Sequence, residues 1–366
     1  VQEPPNTSPQ PSIIASNVDW SRFIQHLDQG KCVAMPTETV YGLAARIDRP
    51  DGIKAIFALK ERPSFDPLIV HVASFKQARE QVAEWLPLAD FIARSFWPGP
   101  LTLVLPKASH ISDLITSGLM TVGLRMPAHP LAKQLIESAA TPLAAPSANR
   151  FGRISPTRAS HVRDEFPEAI ARGDILLLEG GDSEIGVEST VIAVTAQELF
   201  ILRPGGVTQE DLQQALTRWG QPVQIKIATH DQRSPGHTEH HYQPRKPLIV
   251  MEVPEVERRL SPIPKSPRAL NDLRFREWPH EVREQLLSLN GHGDSLAAIG
   301  QLPSEPTLAA RMLYSELRRL DETAEAQWLV IRLPKSEHGG GLWMAIEDRL
   351  RRAATAWVPM KMIPKP

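Results

Sequence analysis

The chain has 366 residues, 42% of them hydrophobic, with 41 Lys and Arg set against 42 Asp and Glu. That length can bury a sizeable core and favours two domains over one. A formal net charge of -1 excludes the broadly basic footprint of a protein built to grip nucleic acid, so any RNA contact has to be local. The single cysteine, Cys32, excludes an intramolecular disulfide framework and a Cys-rich zinc site. Within the apolar run 31–35 it reads as a small buried hydrophobe, not a nucleophile. No apolar run approaches the roughly 20 residues of a membrane span. Residues 1–12, rich in Pro, Gln, Asn and Ser, lack a signal peptide's apolar core. They read as a flexible tail on a cytoplasmic protein with no membrane attachment.

In chain order, Asn17 can cap a helix whose Trp20, Phe23, Ile24 and Leu27 recur at helical spacing, with Gly30 ending it in the left-handed position. Residues 31–35 read as a strand stopped by Pro36. Asp51 is the expected cap of the next helix, with Lys60 and Arg62 at its end, where cations suit the helix dipole. A strand at 68–72 follows, then helical patterns at 75–85 and 88–96. Trp97-Pro98-Gly99-Pro100 turns the chain into a strand at 101–105, and 121–126 alternates as another. A helix over 131–138 and a short buried run at 142–145 come next. Ser155-Pro156-Thr157 predicts a helix start, with a cap hydroxyl followed by Pro at the first helical position. Strands are predicted at 174–178, 188–192 and 199–203, and Thr208 with Asp211 imitates a capping box.

Periodicity fades between 219 and 247, where the polar segment 234–244 is too long for an ordinary hairpin and suits a functional loop. A smaller α/β unit over 248–366 contains a strand at 248–251 and a Pro-rich bridge at 261–267. A strand at 296–299, a helix at 308–320 and a strand at 328–333 come after it. A Gly339-Gly340-Gly341 turn then leads into a helix ending near Ala353. The organisation expected is α/β: a catalytic domain over 13–218, a linker or lid over 219–247 and a smaller C-terminal α/β domain.

The chemistry-bearing residues gather at predicted strand ends, where α/β proteins bind ligands. They are Thr39, His71, Thr121 with Arg125, Ser147 with Asn149, Ser189 with Thr190, and Arg203. Such a set can take a small zwitterion and a polyphosphate together: Arg forks a carboxylate or phosphate, Lys supplies a point charge, and Ser and Thr are short donors. No phosphate-loop, dinucleotide-binding, His-Glu-x-x-His or nucleophile-elbow motif is present. Against a metal site at His237, His240 and His241 stands a plain solvated loop. Against an anion site at Gly339 to Gly341 stands a flexible turn. Arg349, Arg351 and Arg352 read as a solvated helix face.

One arrangement ties these pieces together. Pro-Thr-Glu-Thr-Val-Tyr-Gly-Leu at 36–43, Lys-x-Arg-Pro at 60–63, Pro-Leu-Ile-Val-His at 67–71 and Phe-Trp-Pro-Gly-Pro-Leu-Thr at 96–102 resemble the YrdC-like threonylcarbamoyl-AMP synthases. Arg-Met-Pro-x-His-Pro at 125–130, Ala-Pro-Ser-Ala-Asn at 145–149, Ser-Pro-Thr at 155–157, Gly-x-Glu-Ser-Thr-Val at 186–191 and Leu-Arg-Pro-Gly at 202–205 continue the match in order. The linker and the further α/β region resemble the longer, two-domain branch. The resemblance implies a YrdC-like twisted mixed sheet with flanking helices, and a Rossmann-like C-terminal domain.

It also implies a nucleotidyltransferase, L-threonylcarbamoyladenylate synthase, which joins L-threonine, bicarbonate or CO2, and ATP with release of pyrophosphate. Mg2+ would accompany the nucleotide, its protein ligands unknown, and the product would pass to a tRNA threonylcarbamoyl transferase modifying the adenosine beside the anticodon. A weak contact with tRNA itself is compatible with this role. By position, the threonine site would be Thr39, His71, Arg125, Ala145 and Ser189. The ATP site would be Lys60, Arg62, Asp66, Thr121, Ser147, Ser155, Arg203 and Tyr242, with Lys60 and Arg62 positioning the triphosphate. Asp66 stands where the family usually has Asn; a carboxylate repels phosphate, which points it toward metal or ribose. Likewise, Glu347-Asp348 replaces a more usual Asn before Arg349. Two alternatives stay open: a non-catalytic RNA-binding or regulatory module, and a carbamoyl-adenylate enzyme acting on another acceptor.

Overall fold

The computed structural model describes residues 18–229, 231–235, 241–253, 266–273, 276, 278–334 and 340–359. The tail expected at 1–12, the Asn17 cap, His237 and His240 of the linker, most of the Pro-rich bridge and Gly339 lie outside these residues.

Apolar alternation builds the first sheet. In β1 (Cys32–Met35), Cys32 and Ala34 face one core while Val33 and Met35 face another, the period-two pattern of a strand covered on both sides. The sheet continues through β2 (Gly42–Arg46), β3 (Ile69–His71), β4 (Leu101–Pro106), β5 (Thr121–Arg125) and β6 (Leu143–Ala144). Completing it are β7 (Ile175–Leu177), β8 (Thr190–Val194), β9 (Glu198–Arg203) and β10 (Gln224–Ile227). The spatial order is β10-β9-β8-β4-β5-β3-β6-β2-β1-β7. Parallel pairs such as β3–β5 and β4–β8 sit beside antiparallel ones such as β4–β5 and β3–β6, so the sheet is mixed, as expected.

The flanking helices are α1 (Trp20–Asp28), α2 (Pro50–Lys60), α3 (Phe75–Glu80), α4 (Pro87–Phe96), α5 (Asp113–Thr116), α6 (Pro130–Ala139), α7 (Ala159–Glu165), α8 (Pro167–Ala171) and α9 (Gln209–Trp219). One sheet face is covered by α2, α4 and α9, whose Ile53, Ile56, Leu88, Ile92, Leu212 and Leu216 pack with Val70, Leu103 and Leu105. On the other face, α1 and α6 cover only the β1–β2 end, through Leu27, Leu131, Leu135 and Ile136 against Val33, Met35 and Ala44. Beyond that cover, Ile69, His71, Gly123 and Arg125 share the strand face left for the site.

Several local expectations change. Asp19 caps α1, accepting from the Arg22 amide at 3.3 Å. Asp51 lies in the first turn of α2 and Arg49 is its cap, because Pro50 takes the first helical position. The helix expected at Ser155 starts only at Ala159, since the Ser155 hydroxyl is engaged by Glu188. The α3 helix ends at Glu80. Strand β10, too polar and exposed to show a periodic signal, extends the sheet edge beside β9. The Thr208–Asp211 capping box forms as read.

The C-terminal domain holds β11 (Leu248–Val253), β12 (Arg268–Ala269), β13 (Leu296–Gln301), β14 (Trp328–Pro334) and β15 (Ala356–Val358), with α10 (His280–Ser288), α11 (Pro306–Asp321) and α12 (Leu342–Ala353). The order is β12-β13-β14-β11-β15, parallel except for the edge strand β12. Leu248 and Val250 face α11 and α12, whereas Ile249 and Met251 face α10. Both sides of the parallel sheet are therefore buried.

The two domains meet where α11 crosses the loop before β8. Gly186 there has φ +81°, and a Cβ on it would lie 2.4 Å from the Arg311 Cα. Only glycine permits both that conformation and that approach. Val40, Ile154 and Val187 of the first domain join the α11–α12 core, and the Gly341 amide at the start of α12 is met by the Glu210 carboxylate at 3.2 Å. The anion that this glycine turn could hold thus comes from the neighbouring domain.

Candidate active site

A cavity of about 50 Å³ lies on the sheet face that α1 and α6 leave uncovered. Its wall includes Arg62, His71, Arg125, Ala145, Ser147, Ser189, Arg203 and Tyr242 of the expected residues, together with Thr37, Glu188, Pro235 and His241. The remaining expected residues stand elsewhere. Thr39 lies behind Thr37, their hydroxyls 2.9 Å apart. Lys60, Asp66 and Ser155 support the wall from beneath, and Thr121 sits at the far end of β5 on the same face as Arg125.

Strands β3 and β5 run parallel and pair His71 with Arg125 at their C-terminal ends. Arg125 donates to the Glu38 carboxylate at 2.6 Å and to the Gly99 carbonyl at 3.4 Å; the second Glu38 oxygen accepts from the Ala128 amide at 3.1 Å. Glu38 therefore fixes the guanidinium and leaves part of its donor fork for a ligand carboxylate. His71 is 3% exposed. Burial, helped by Arg125, lowers its imidazole to about 3, against the bond to the Ile69 carbonyl. With Nδ1 donating to that carbonyl at 3.3 Å, the neutral ring turns Nε2 outward as an acceptor. A carboxylate site and an acceptor side by side are the two halves of an amino-acid anchor.

Two further cations, Arg62 and Arg203, line the same wall. Arg62 donates to the Asp66 and Pro67 carbonyls at 3.1 and 2.7 Å and pairs with the Asp66 carboxylate at 3.0 Å. Asp66, fully buried, is thus a counter-ion to Arg62. Lys60 is buried and donates to the Ser147 carbonyl at 2.6 Å and to the Asn149 carbonyl, which shapes the 147–149 loop. Burial and the neighbouring Arg62 push its ammonium well below the usual lysine range, against the pull of Asp66. Its position at the helix end is not a solvated dipole contact. Arg203 donates to the Ser189 carbonyl at 2.9 Å, to the Ser189 hydroxyl at 3.2 Å and to the Pro235 carbonyl at 3.4 Å. The Ser189 hydroxyl also meets Thr102 at 2.8 Å.

Linker residues close the cavity. Tyr242 is 1% exposed and adopts φ +64°, unusual for a bulky residue. It stacks on Tyr314 of α11 at 5.8 Å. His241, expected in a solvated loop, is buried edge-on against Tyr242 at 4.2 Å.

Residues 25–205 match the family described as "Telomere recombination", and residues 207–355 match "Threonylcarbamoyl-AMP synthase, C-terminal domain". The threonylcarbamoyl-AMP synthase of Pyrococcus abyssi is 38% identical over 89% of this chain and 91% of its own length. That of Bacillus subtilis is 36% identical over 90% of each. The chain belongs to the threonylcarbamoyl-AMP synthase family. Its fold also matches the crystal structure of the Pyrococcus abyssi Sua5 protein complexed with L-threonine, at TM-score 0.73 and 34% identity, covering 93% of this chain and 96% of that one. As a threonylcarbamoyl-AMP synthase family member the chain is an enzyme with the YrdC-like and C-terminal domains that its sequence resembles.

The donor set also bears on the magnesium expected with the nucleotide. Glu38 is held by Arg125 and an amide, Asp66 by Arg62, and Glu188 by three side chains. Among the described residues no group of three or more His, Cys, Asp or Glu could hold a cation. These residues do not fit a protein-borne metal cage.

Glu38, Glu188 and His241 are among the site residues that escaped the sequence reading. Glu38 and Glu188 lie inside recognised motifs, so the signal was their burial partner, which no spacing reveals. No helix among the described residues is long and apolar enough to cross a membrane.

Proposed function

We propose that this enzyme makes L-threonylcarbamoyl-AMP from L-threonine, bicarbonate or CO2, and ATP, and releases pyrophosphate. The deprotonated threonine amine adds to the one-carbon acid to form a carbamate, with loss of water when bicarbonate is the source. A carbamate oxygen then attacks the α-phosphorus, and the β- and γ-phosphates leave as pyrophosphate. The observation that carries this reading is that one cavity wall brings together the pair His71 and Arg125, suited to an amino acid, and the further cations Arg62 and Arg203.

The residues act by holding and shielding, not by bonding to the substrates. Arg125 takes the threonine carboxylate, and neutral His71 accepts from its ammonium or hydroxyl. Arg62 and Arg203 face the polyphosphate, whose magnesium arrives with the nucleotide as part of the substrate. Tyr242 covers the loaded site and excludes water. Such positioning and preorganised charge account for most of the rate of a phosphoryl-transfer enzyme. The adenylate then serves a transferase acting on tRNA.

The test is pyrophosphate release from ATP with bicarbonate, with and without L-threonine. Strict threonine dependence, with the adenylate detected by mass spectrometry, is expected. Release that requires carbamoyl phosphate in place of threonine would overturn the assignment in favour of another acceptor. Absence of release together with tight RNA binding would overturn it in favour of a binding module.

A further inference from the structure

Glu188 puts a carboxylate into the cavity wall beside the residues expected to meet a polyanion. It is 6% exposed, and its fixed surroundings come largely from the other domain. One oxygen accepts from the Ser155 hydroxyl at 2.6 Å. The Tyr314 hydroxyl of α11 lies 3.0 and 2.8 Å from the two oxygens. Arg349 of α12 donates Nε to the second oxygen at 2.9 Å. Arg349 is fully buried, donates as well to the Pro204 carbonyl and Asp348 at 2.8 Å each, and stands 5.3 Å from the Tyr242 ring centre.

We infer that Arg349 and Tyr314 of the C-terminal domain are positioning residues of the catalytic site, holding Glu188 away from Arg203 so that Arg203 stays available to the nucleotide. This rests on the nucleotide-binding reading of Arg203. Among the described residues Arg203 makes no direct ion pair with a carboxylate; its donors go to Ser189 and the Pro235 carbonyl, and it feels Glu188 only through space. Burial would raise the Glu188 carboxyl, but Arg349 and Arg203 outweigh it and hold it at about 2. It is therefore an anion under all working conditions. Remove Arg349 and the nearest cation coupled to that buried anion is Arg203. The wall gains one uncompensated negative charge beside the cation that a triphosphate must reach, and the threonine anchor at Arg125 keeps its own partner, Glu38. The C-terminal domain thus completes the charge pattern of a cavity built on the first domain.

The full-length chain is tested with R349M, the double variant E188Q/R349M, and Y314F. Each is assayed for the Michaelis constants of ATP and threonine, and for ATP affinity by calorimetry. R349M should raise the ATP constant at least about tenfold, as for loss of one partner of a buried charge pair, and move the threonine constant less than about threefold. E188Q/R349M should recover most of the ATP affinity by removing the stranded charge. Equal loss for both substrates, no loss, or a double variant no better than R349M would overturn the inference. If R349M does not fold, Y314F decides: weaker ATP binding at an unchanged unfolding temperature is expected, and unchanged ATP binding overturns it. Calorimetry separates this from the proposed reaction. Wild-type protein that binds ATP without threonine-dependent turnover refutes the reaction and leaves the charge test intact.

Discussion

Replacing His71 by Asn tests whether the amino-acid anchor of the cavity is built on a neutral imidazole. An Asn amide nitrogen can sit where Nδ1 sits and keep the donation to the Ile69 carbonyl, but it cannot be protonated. Burial and Arg125 hold His71 at about 3, below its ordinary value of 6.5. A depressed histidine binds its proton more readily in the unfolded chain, so folding stability falls with pH through the window from 6.5 down to about 3. At pH 5 the folded ring is still neutral, and the cost is set by the unfolded value alone. One and a half pH units at ~1.4 kcal/mol each is roughly 2 kcal/mol relative to the plateau above pH 7. Glu188 does not interfere: its depressed carboxyl contributes stability above 4.5 that is lost as pH falls toward about 2. His161, also lowered to about 3 by burial, then Arg318 and Arg158, adds to the slope in both proteins. Urea unfolding of wild type and H71N at pH 7 and pH 5 is the assay. The variant should lose about 2 kcal/mol less between the two pH values. Equal losses would show that His71 is charged or solvated in the folded protein, and the acceptor role assigned to Nε2 would fall with it.

Arg125→Met strands the Glu38 carboxylate, whose side chain is 7% exposed. The expected loss is about 3–5 kcal/mol of stability, together with threonine binding. Adding Glu38→Gln should restore the stability and not the binding; joint recovery would mean that Arg125 is only structural. Gly186→Ala places a Cβ 2.4 Å from the Arg311 backbone at a left-handed φ, so the domains should separate. Limited trypsin digestion should then yield two stable fragments faster than from wild type, and an unchanged time course would refute the close approach. Burial, with Asp174, pushes the Cys32 thiol up to about 12. It should resist thiol reagents at pH 8 in the native protein and react after denaturation; rapid native labelling would contradict its place in the core.

Which features were legible in the sequence follows from how far apart the interacting groups lie along it. The strands at 32–35, 69–71, 121–125 and 198–203 and the capping box at Thr208 are local patterns of period and cap, and they form where the sequence puts them. Lys60 and Arg62 were legible as functional candidates, yet their surroundings were not. The carbonyls that hold Lys60 arrive from Ser147 and Asn149, across the sheet. Thr39 and Ser155 are placed differently: each stands one contact behind the cavity wall, Thr39 behind Thr37 and Ser155 behind Glu188, an arrangement that the motifs do not encode. Arg349 is the most instructive case. As part of a run of three arginines it reads as a solvated face, and for Arg351, with its side chain 58% exposed, that reading holds. But Trp343, Ile346, Leu350 and Ala353 define a buried stripe on α12, and Arg349 falls beside it, three residues past Ile346. A cation on the apolar side of an amphipathic helix needs anions beside it; Asp348 on the same helix supplies one, and the other comes from another element of the fold. Here that anion is Glu188, 161 residues away, in the wall of the cavity. A charge at the edge of an apolar stripe therefore carries more functional information than the basic cluster around it, because it specifies that its partner must exist.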